Sequence, residues 1–557
     1  MPLLNVRCCT WNVGDDGPPE DNLNTLLGLN DVNPPDILAV GLQEVIDPSD
    51  WRKALIKHAH PAGYVLMKSR NCWAIWMFVF IRRNLLSAIT NIESEVTPVG
   101  YAGVMGNKGG VSVRFEICGV NVIFLSCHFA AHAERTQDRL NDFWDIIKLQ
   151  SFRDDDVHTI LDHDYVFWMG DLNFRLDGLD KPTVEKLIDQ KRFSKLISHD
   201  QLSRSRRKKL IFIDFLEGDI DFPPTFKFDK GTDQYDSSSK QRIPAWTDRI
   251  LYMAHRDFAT EHYATLLRDL NSLNIPRRSA VRGSPSNVEQ HFPSNSRESI
   301  GELQPEIKLL EYTSLPEYKS SDHRPVVGSF EFAVPSRWFS LPVSFIEPMG
   351  KDYPFGVDLE FSYTVMDPPA LLHMTESDKI LMARPAVPTV SFIQLMLISA
   401  MGKLAVGDKN EGSTNESPLA PASLEQARRD WIGLYPADFA DLERGYLTYV
   451  QAPKTVSSIA KDVHAEASKK PMPSYYKGAI LAQYLNQLKN QSVQLIYWSQ
   501  KKNCPQGYSS SVLRTANKQF FSINYILDAT NSYVRVCMLF FFRRKAWSHL
   551  LTVCLPT

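Results

Sequence analysis

The sequence predicts an α/β fold with a mixed sheet in its first three-fifths, followed by a smaller region built from strands. Three observations support this. Short apolar runs each end in a polar cluster, two such runs meet at a two-residue turn, and after Pro335 the pattern changes to period-two alternation. The chain of 557 residues exceeds what one hydrophobic core normally serves, so at least two domains are expected.

Val6 to Trp11, Asp36 to Leu42, Trp76 to Ile81, Val111 to Ile117, Val120 to Ser126, Tyr165 to Met169 and Val326 to Phe332 all read as strands. The fourth and fifth turn back at Cys118-Gly119, a hairpin signal, so the sheet should be mixed rather than purely parallel. Residues 1–334 form the first domain in this reading. Asn271 to Gln304, rich in Ser, Asn, Pro and Arg, reads as a flexible surface insertion. Residues 335–510 read as a β-sandwich, with Val357 to Tyr363 and Val493 to Tyr497 as alternating strands and a polar insertion around Gly407 to Pro421. Residues 511–557 form a tail without a clear pattern.

Composition excludes several classes. Hydrophobic content of 43% and charged content of 23% describe a globular protein. A formal net charge of -2 argues against general nucleic-acid binding, which needs a broadly basic face. Eight scattered cysteines without a C-x-x-C pair suggest neither a zinc cage nor a disulfide framework. The amino terminus reads straight into a strand with no signal-like segment, and a reducing, cytosolic compartment is expected. The apolar stretch Val534 to Phe542 falls far short of the roughly 20 residues of a membrane-spanning helix.

Four polar clusters carry the chemistry: Trp11-Asn12, Gln43-Glu44, Asp171-Leu172-Asn173 and Ser321-Asp322-His323. In open α/β sheets, residues just beyond the strands face the crevice where ligands bind. Gly170, before Asp171, is expected to let the backbone turn sharply. Hard cations such as Mg²⁺ take carboxylate oxygens together with substrate phosphate, which suits Glu44 and one of the aspartates. Taken singly, an Asp after a strand is more often a helix cap and a His more often structural.

In this order the clusters W-N, Q-E, G-D-x-N and S-D-H resemble the endonuclease/exonuclease/phosphatase superfamily. "MGNKGGVSVRF" (Met105 to Phe115), "FPPTFKFD" (Phe222 to Asp229) and "PAWTDRILY" (Pro244 to Tyr252) are similar to its inositol polyphosphate 5-phosphatases rather than to its nucleases. The resemblance implies a DNase I-like four-layer α/β sandwich and Mg²⁺-dependent removal of a 5-phosphate by direct water attack. Glu44 would ligate Mg²⁺, supported by Asn12 and Asp322. Asp171 would activate water, Asn173 would hold phosphoryl oxygens, and His323, oriented by Asp248, would stabilise the transition state. His128 would contact the scissile phosphate. Lys227, Lys240, Arg242 and Arg249 match the clamp on the neighbouring 4-phosphate, with Lys108 nearby. Phe226 stands where the family usually has tyrosine, a loss of about 0.5 to 1.5 kcal/mol if a neutral hydrogen bond is missing.

The resemblance implies phosphoinositide lipids as partners, at membranes facing the cytoplasm such as the plasma membrane or endoplasmic reticulum. The basic run Arg204 to Lys209, ahead of the strand-like "LIFIDF", is either a solvated face or a membrane-orienting patch. "RDWIGLYPADFADLERGYLTYVQAP" (Arg429 to Pro453) and "SVQLIYWS" (Ser492 to Ser499) resemble a SKICH domain, a β-sandwich that directs such enzymes to membranes or protein partners; Trp431 and Tyr435 are equally readable as core residues. The competing readings are a phosphodiesterase of the same superfamily and a non-catalytic membrane scaffold.

Overall fold

Two six-stranded sheets face one another in the computed structural model. It describes residues 3–19, 22–99, 108–153, 157–255 and 306–334, and beyond these 343–346, 352–354, 359–365, 430–452, 474–480, 485, 492–499, 503–509, 511–515, 541–542 and 545–546. The expected insertions at 271–304 and 407–421 lie outside the described residues.

The first sheet takes β1 (Leu3–Asn12), β2 (Ile37–Gln43), β3 (Tyr64–Cys72), β4 (Ile75–Arg82), β11 (Ile307–Ser314) and β12 (Val326–Ala333), in the order β11-β12-β1-β2-β4-β3. The second takes β5 (Ile89–Pro98), β6 (Gly109–Ile117), β7 (Val120–His128), β8 (Tyr165–Asp171), β9 (Leu216–Glu217) and β10 (Asp248–Ala254), in the order β5-β6-β7-β8-β10-β9. In each sheet one central pair is parallel, β1 with β2 and β7 with β8, and the other neighbours are antiparallel.

Strand β8 shows why the sheets sit in the middle of the molecule. Successive side chains point to opposite faces. Tyr165, Phe167 and Met169 enter the core between the sheets, where Phe167 stacks on Phe124 at 5.1 Å. Val166 and Trp168 enter the outer core against α3 (Thr136–Leu149), where Phe143 lies 5.2 Å from Trp168. The first sheet is covered likewise by α1 (Asn24–Leu27) and α2 (Pro48–Ala59), which bury Leu26, Trp51 and Leu55 against Trp11, Val40 and Phe78. Helix, sheet, sheet and helix make the four layers expected from the sequence.

Gly170 corrects one detail. It lies inside β8 rather than at a turn, and a Cβ there would meet the Cys127 carbonyl oxygen at 2.1 Å. The residue is glycine because β7 passes too close for a side chain. "LIFIDF" is also not a strand. It is an irregular link after the helix Gln201–Arg207, holding Ile211, Phe212 and Phe215 in the outer core.

Beyond residue 334, β13 (Val343–Ile346), β15 (Leu359–Val365) and β18 (Ser474–Ile480) form one sheet. A second contains β14 (Asp352–Pro354), β16 (Trp431–Pro436), β17 (Thr448–Gln451), β19 (Ser492–Ser499), β20 (Cys504–Tyr508) and β21 (Val512–Thr515). Strand β21, past the boundary expected at 510, still pairs with β19. Trp431 and Tyr435 are buried, and Trp431 stacks on Trp498 at 5.5 Å. The loop after β16 docks on the outer edge of the first sheet: Arg52 of α2 is paired with Asp441, Lys68 with Glu443 at 3.0 Å, and the Leu66 amide donates to the Ala440 carbonyl at 2.9 Å. Among the described residues, no helix is long and apolar enough to cross a membrane.

Candidate active site

The parallel pairs place the carboxyl ends of β1, β2, β7 and β8 at one end of the molecule, where the antiparallel strands β10 and β12 begin. Asn12, His128 and Asp171 are the last residues of their strands, Glu44 follows β2, Asp248 opens β10, and Ser321 to His323 precede β12. Strand register alone makes one row of three, since Asp171 is the Cα partner of His128 on one side and of Asp248 on the other. This convergence explains why clusters scattered over some 300 positions of sequence form one site.

Asp171 is the hub. Its Oδ2 accepts from Asn12 Nδ2 at 3.0 Å and lies 3.2 Å from His128 Nε2, and its Oδ1 accepts from the Asn173 amide at 3.0 Å. Burial pushes its pKa up, but His128, His323 and Lys108 together outweigh that and hold the carboxyl well below the usual range. It is therefore a carboxylate at any working pH, better suited to holding and orienting a water than to keeping its proton.

His323 is set the opposite way. Burial disfavours its charge, yet Asp248, bonded to Nδ1 at 2.9 Å, and the nearby Asp171 and Asp322 push its pKa up to about 9. The Asp248 carboxylate also accepts from Thr225 and Thr247 at 2.7 and 2.9 Å, which fixes it under the imidazole. His323 Nε2 faces Asp171 Oδ2 at 4.0 Å, leaving a charged donor and a charged acceptor on either side of one gap.

His128 sits between charges of both signs. Lys108 Nζ is 2.7 Å from its Nε2, and Glu44 Oε1 is 3.8 Å away. Burial, then Lys108, lowers the His128 pKa. Burial also lowers that of Lys108, against the pull of Asp171 and Glu44. Glu44 and Asn173 both have left-handed backbone, with φ of 59° and 58°. Such non-glycine residues are uncommon, and here the turn swings each side chain out of strand alternation into the mouth.

Asp171, Asp248 and His323 have ligand atoms within 4.8 Å of one another, but His323 spends Nδ1 on Asp248 and is kept protonated, which opposes metal binding there. A hard cation fits better at Glu44, whose carboxylate is partly open, with the Asn12 amide oxygen as a second hard donor. Asp322 lies beside the same turn, since a Cβ on Gly14, whose amide donates to Asn12 Oδ1, would meet Asp322 Oδ1 at 3.0 Å, and its carboxylate also accepts from Lys227.

The expected clamp residues divide. Lys227 and Arg242 are held on one loop by the buried Asp236, whose amide donates to the Lys227 carbonyl at 2.9 Å and whose carboxylate accepts from the Arg242 amide at 2.7 Å. Lys240 is exposed on the same loop. Arg249 does not belong there. It is fully buried, bonded to Asp200 at 3.0 Å and to Glu217 at 2.6 Å, because alternation along β10 turns it to the face away from Asp248.

Arg175 was missed by sequence reasoning. Its Nη2 donates to Asn173 Oδ1 at 2.5 Å, and its guanidinium lies 4.2 Å from the centroid of the Phe226 ring, which also meets the His323 imidazole at 4.5 Å and Lys227 Nζ at 5.7 Å. Burial lowers the Arg175 pKa to about 10, against Asp171, so it remains a cation in the site. Its adjacency to the G-D-x-N cluster was the available signal. With Oδ1 taken by Arg175 and Nδ2 donating to the Phe129 carbonyl at 3.1 Å, Asn173 keeps one N–H for a ligand.

Comparison with known proteins identifies the family. The profile of Endonuclease/Exonuclease/phosphatase family 2 matches residues 9–329. Phosphatidylinositol 4,5-bisphosphate 5-phosphatase A of Rattus norvegicus is 34% identical over 342 residues, covering 59% of this chain and 31% of the rat protein. Inositol polyphosphate 5-phosphatase K of Mus musculus is 33% identical over 343 residues, covering 59% of this chain and 66% of the mouse protein. The chain thus spans only about a third of the rat relative's length. Among solved structures, the inositol polyphosphate 5-phosphatase domain of a synaptojanin, in complex with inositol (1,4)-bisphosphate and calcium ion, is 28% identical with a TM-score of 0.47, covering 59% of this chain and 84% of that one.

Proposed function

Since the chain belongs to endonuclease/exonuclease/phosphatase family 2, we propose that it is a Mg²⁺-dependent phosphomonoesterase that removes the 5-phosphate of phosphatidylinositol 4,5-bisphosphate and phosphatidylinositol 3,4,5-trisphosphate, and of soluble inositol polyphosphates with the same headgroup. The observation that carries this is the pairing of two charge environments in one mouth. Asp171 and protonated His323 flank a gap, and Lys227, Arg242 and Arg175 gather beside it. A reacting phosphoryl group at the gap would place a neighbouring phosphate among the cations. The names of the rat and mouse relatives support the same substrate class.

Asp171 would orient a water toward phosphorus. As the water oxygen bonds to phosphorus and gives up a proton toward Asp171, the bond to the inositol oxygen breaks, that oxygen takes a proton from solvent to become a hydroxyl, and inorganic phosphate is released. His323 Nε2–H and the spare N–H of Asn173 would donate to the phosphoryl oxygens as charge builds on them. Glu44 and Asn12 would hold Mg²⁺, which when bound supplies Lewis-acid stabilisation of the phosphoryl oxygens. Lys227, which bonds Asp322, would exchange that partner for the neighbouring phosphate. Residues 335–510 are taken as a SKICH-like region that brings the enzyme to cytoplasmic membrane surfaces or a protein partner.

The test is phosphate release from short-chain phosphatidylinositol 4,5-bisphosphate, with Mg²⁺ or EDTA. Mg²⁺-dependent release of the 5-phosphate, abolished in Asp171→Asn, is expected. Cleavage of sphingomyelin or DNA instead would make it a phosphodiesterase, and lipid binding without any release would make it a scaffold.

A further inference from the structure

Lys181 belongs to none of the polar clusters at the mouth. It opens α4 (Lys181–Asp189), directly after the capping Asp180, whose carboxylate accepts from the Thr183 amide at 3.1 Å. A cation in the first turn works against the helix dipole, and the pair with Glu185 at 3.4 Å, with the acid on the carboxyl-terminal side, offsets little of that. The helix itself therefore gives no reason for a lysine at this position. The reason lies 55 and 60 residues further along the chain, where Lys181 Nζ donates to the Asp236 carbonyl at 2.8 Å and to Gln241 Oε1 at 3.1 Å. With Glu185 these acceptors occupy all three N–H groups of the ammonium, and the side chain is only 13% exposed.

Both loop acceptors belong to the segment that carries Lys227, Lys240 and Arg242. Asp236 braces that segment through the Lys227 carbonyl and the Arg242 amide. Gln241 stands between Lys240 and Arg242 and has left-handed backbone, with φ of 43°. A non-glycine residue keeps such a conformation only where its surroundings over-determine it. Here both ends of its side-chain amide are held, as Nε2 donates to the Ser238 carbonyl at 2.7 Å and Oε1 accepts from Lys181. We propose that Lys181 is a positioning residue for substrate selection, which fixes the turn at Gln241 to α4 and so sets where Lys240 and Arg242 stand relative to the phosphate next to the one removed. The helix is a firm support, since Val184 is fully buried and Leu187 and Ile188 pack on the core. Arg242 does reach the site, close enough to Arg175 for the two charges to oppose one another. A compact ammonium suits three acceptors around one point, which the planar guanidinium of arginine does not.

This inference rests on the proposed function in taking Lys240 and Arg242 as the grip on a neighbouring phosphate. Its test compares wild type, Lys181→Met, Gln241→Ala and the double variant. Hydrolysis of short-chain phosphatidylinositol 4,5-bisphosphate is followed together with calorimetric binding of inositol 1,4-bisphosphate, which keeps the neighbouring phosphate, and inhibition by inorganic phosphate, which has none. KM and the dissociation constant of inositol 1,4-bisphosphate should each rise about tenfold in both single variants, the loss expected when one charged hydrogen bond no longer forms. kcat and inhibition by inorganic phosphate should stay as in wild type, the pattern of lost binding that is uniform between ground and transition state. The double variant should lose no more than either single one, because both changes break the same link. Unchanged KM in folded Lys181→Met, additive losses in the double variant, or inhibition by inorganic phosphate weakened to the same extent overturns the brace. Gln241 is exposed, so Gln241→Ala still decides the question if Lys181→Met fails to fold. If wild type binds inositol 1,4-bisphosphate and the variants lose it while none hydrolyses the lipid, the brace stands and the phosphatase reading fails. A wild type that binds no inositol 1,4-bisphosphate overturns both.

Discussion

His323 Nδ1 lies 2.9 Å from Asp248 Oδ2 in a buried pair, while the other ring nitrogen faces Asp171. The pair sets both the charge and the aim of the imidazole. Replacing Asp248 with Asn keeps the shape and removes the charge. The kcat of Asp248→Asn is expected to fall roughly 10²- to 10⁴-fold, with KM changed far less, because a fixed imidazolium acts on the transition state more than on the bound substrate.

The same pair predicts a pH dependence of stability. The folded pKa of His323, about 9, lies above its ordinary 6.5, so folding favours the protonated form. The resulting stabilisation, on the order of 3 kcal/mol at most, is fully present below pH 6.5 and is lost as pH rises through 9. Urea midpoints measured across that window should decline for wild type and stay much flatter for His323→Asn. An equal decline in both would remove His323 as the source.

Arg175 and Phe226 yield a third expectation. The guanidinium orients the Asn173 amide and covers one side of the phenyl ring that also touches His323. Losing a charged hydrogen bond costs about 1.5 to 3 kcal/mol, so Arg175→Ala should lower kcat/KM by roughly tenfold to a hundredfold. Lys at 175 keeps the charge without the planar fork and should restore only part of the activity. Full activity in Arg175→Ala would assign the residue to packing alone.

Much of this site was legible because its residues end buried strands. Apolar runs mark β1, β2 and β8, and polar residues just beyond such runs face the crevice, so Asn12, Glu44 and Asp171 could be grouped before any coordinates, whereas His128 at the end of β7 came only with the family resemblance. Strands β3, β5 and β11 were not singled out, since polar residues on partly exposed edges dilute the apolar signal. Arg249 was misplaced for a related reason. Proximity to Asp248 in sequence says nothing about face, and one step along a strand reverses it. Asp236 was hidden too, because its work is done by backbone hydrogen bonds within a loop whose composition reads only as polar.

The correction at Arg249 is itself testable. Its guanidinium is locked between Asp200 and Glu217 with no exposure, so truncation takes the counter-charge from buried Asp200 and leaves Glu217 to its pairing with Arg206 at 2.9 Å. Arg249→Ala should destabilise the fold by about 3 to 5 kcal/mol. Lys227→Ala, on a partly open side chain, should hardly move stability but should raise KM. Kinetics of the folded fraction separate the two. A selective rise in KM without a drop in the unfolding midpoint for Arg249→Ala would return that residue to the clamp.

Arg52 and Asp441 connect the two regions of the chain through an ion pair whose side chains are about one-tenth exposed. Arg52 Nε also donates to Asp441 at 2.9 Å, and Nη1 to Ser69 at 2.6 Å, so the contact fixes the β16-β17 loop against both α2 and β3. Asp441→Ala leaves that guanidinium buried with fewer acceptors. The expected result is a loss of a few kcal/mol and protease cleavage beyond residue 334 at concentrations that spare wild type. Activity on a soluble substrate should persist, because Arg52 lies on a helix whose first turn, capped by Asp47, is independently anchored after Glu44. If Asp441→Ala instead abolished soluble-substrate hydrolysis at intact stability, the docked region would be acting on the site through α2, and Glu44 would be the residue to examine for the displaced contact.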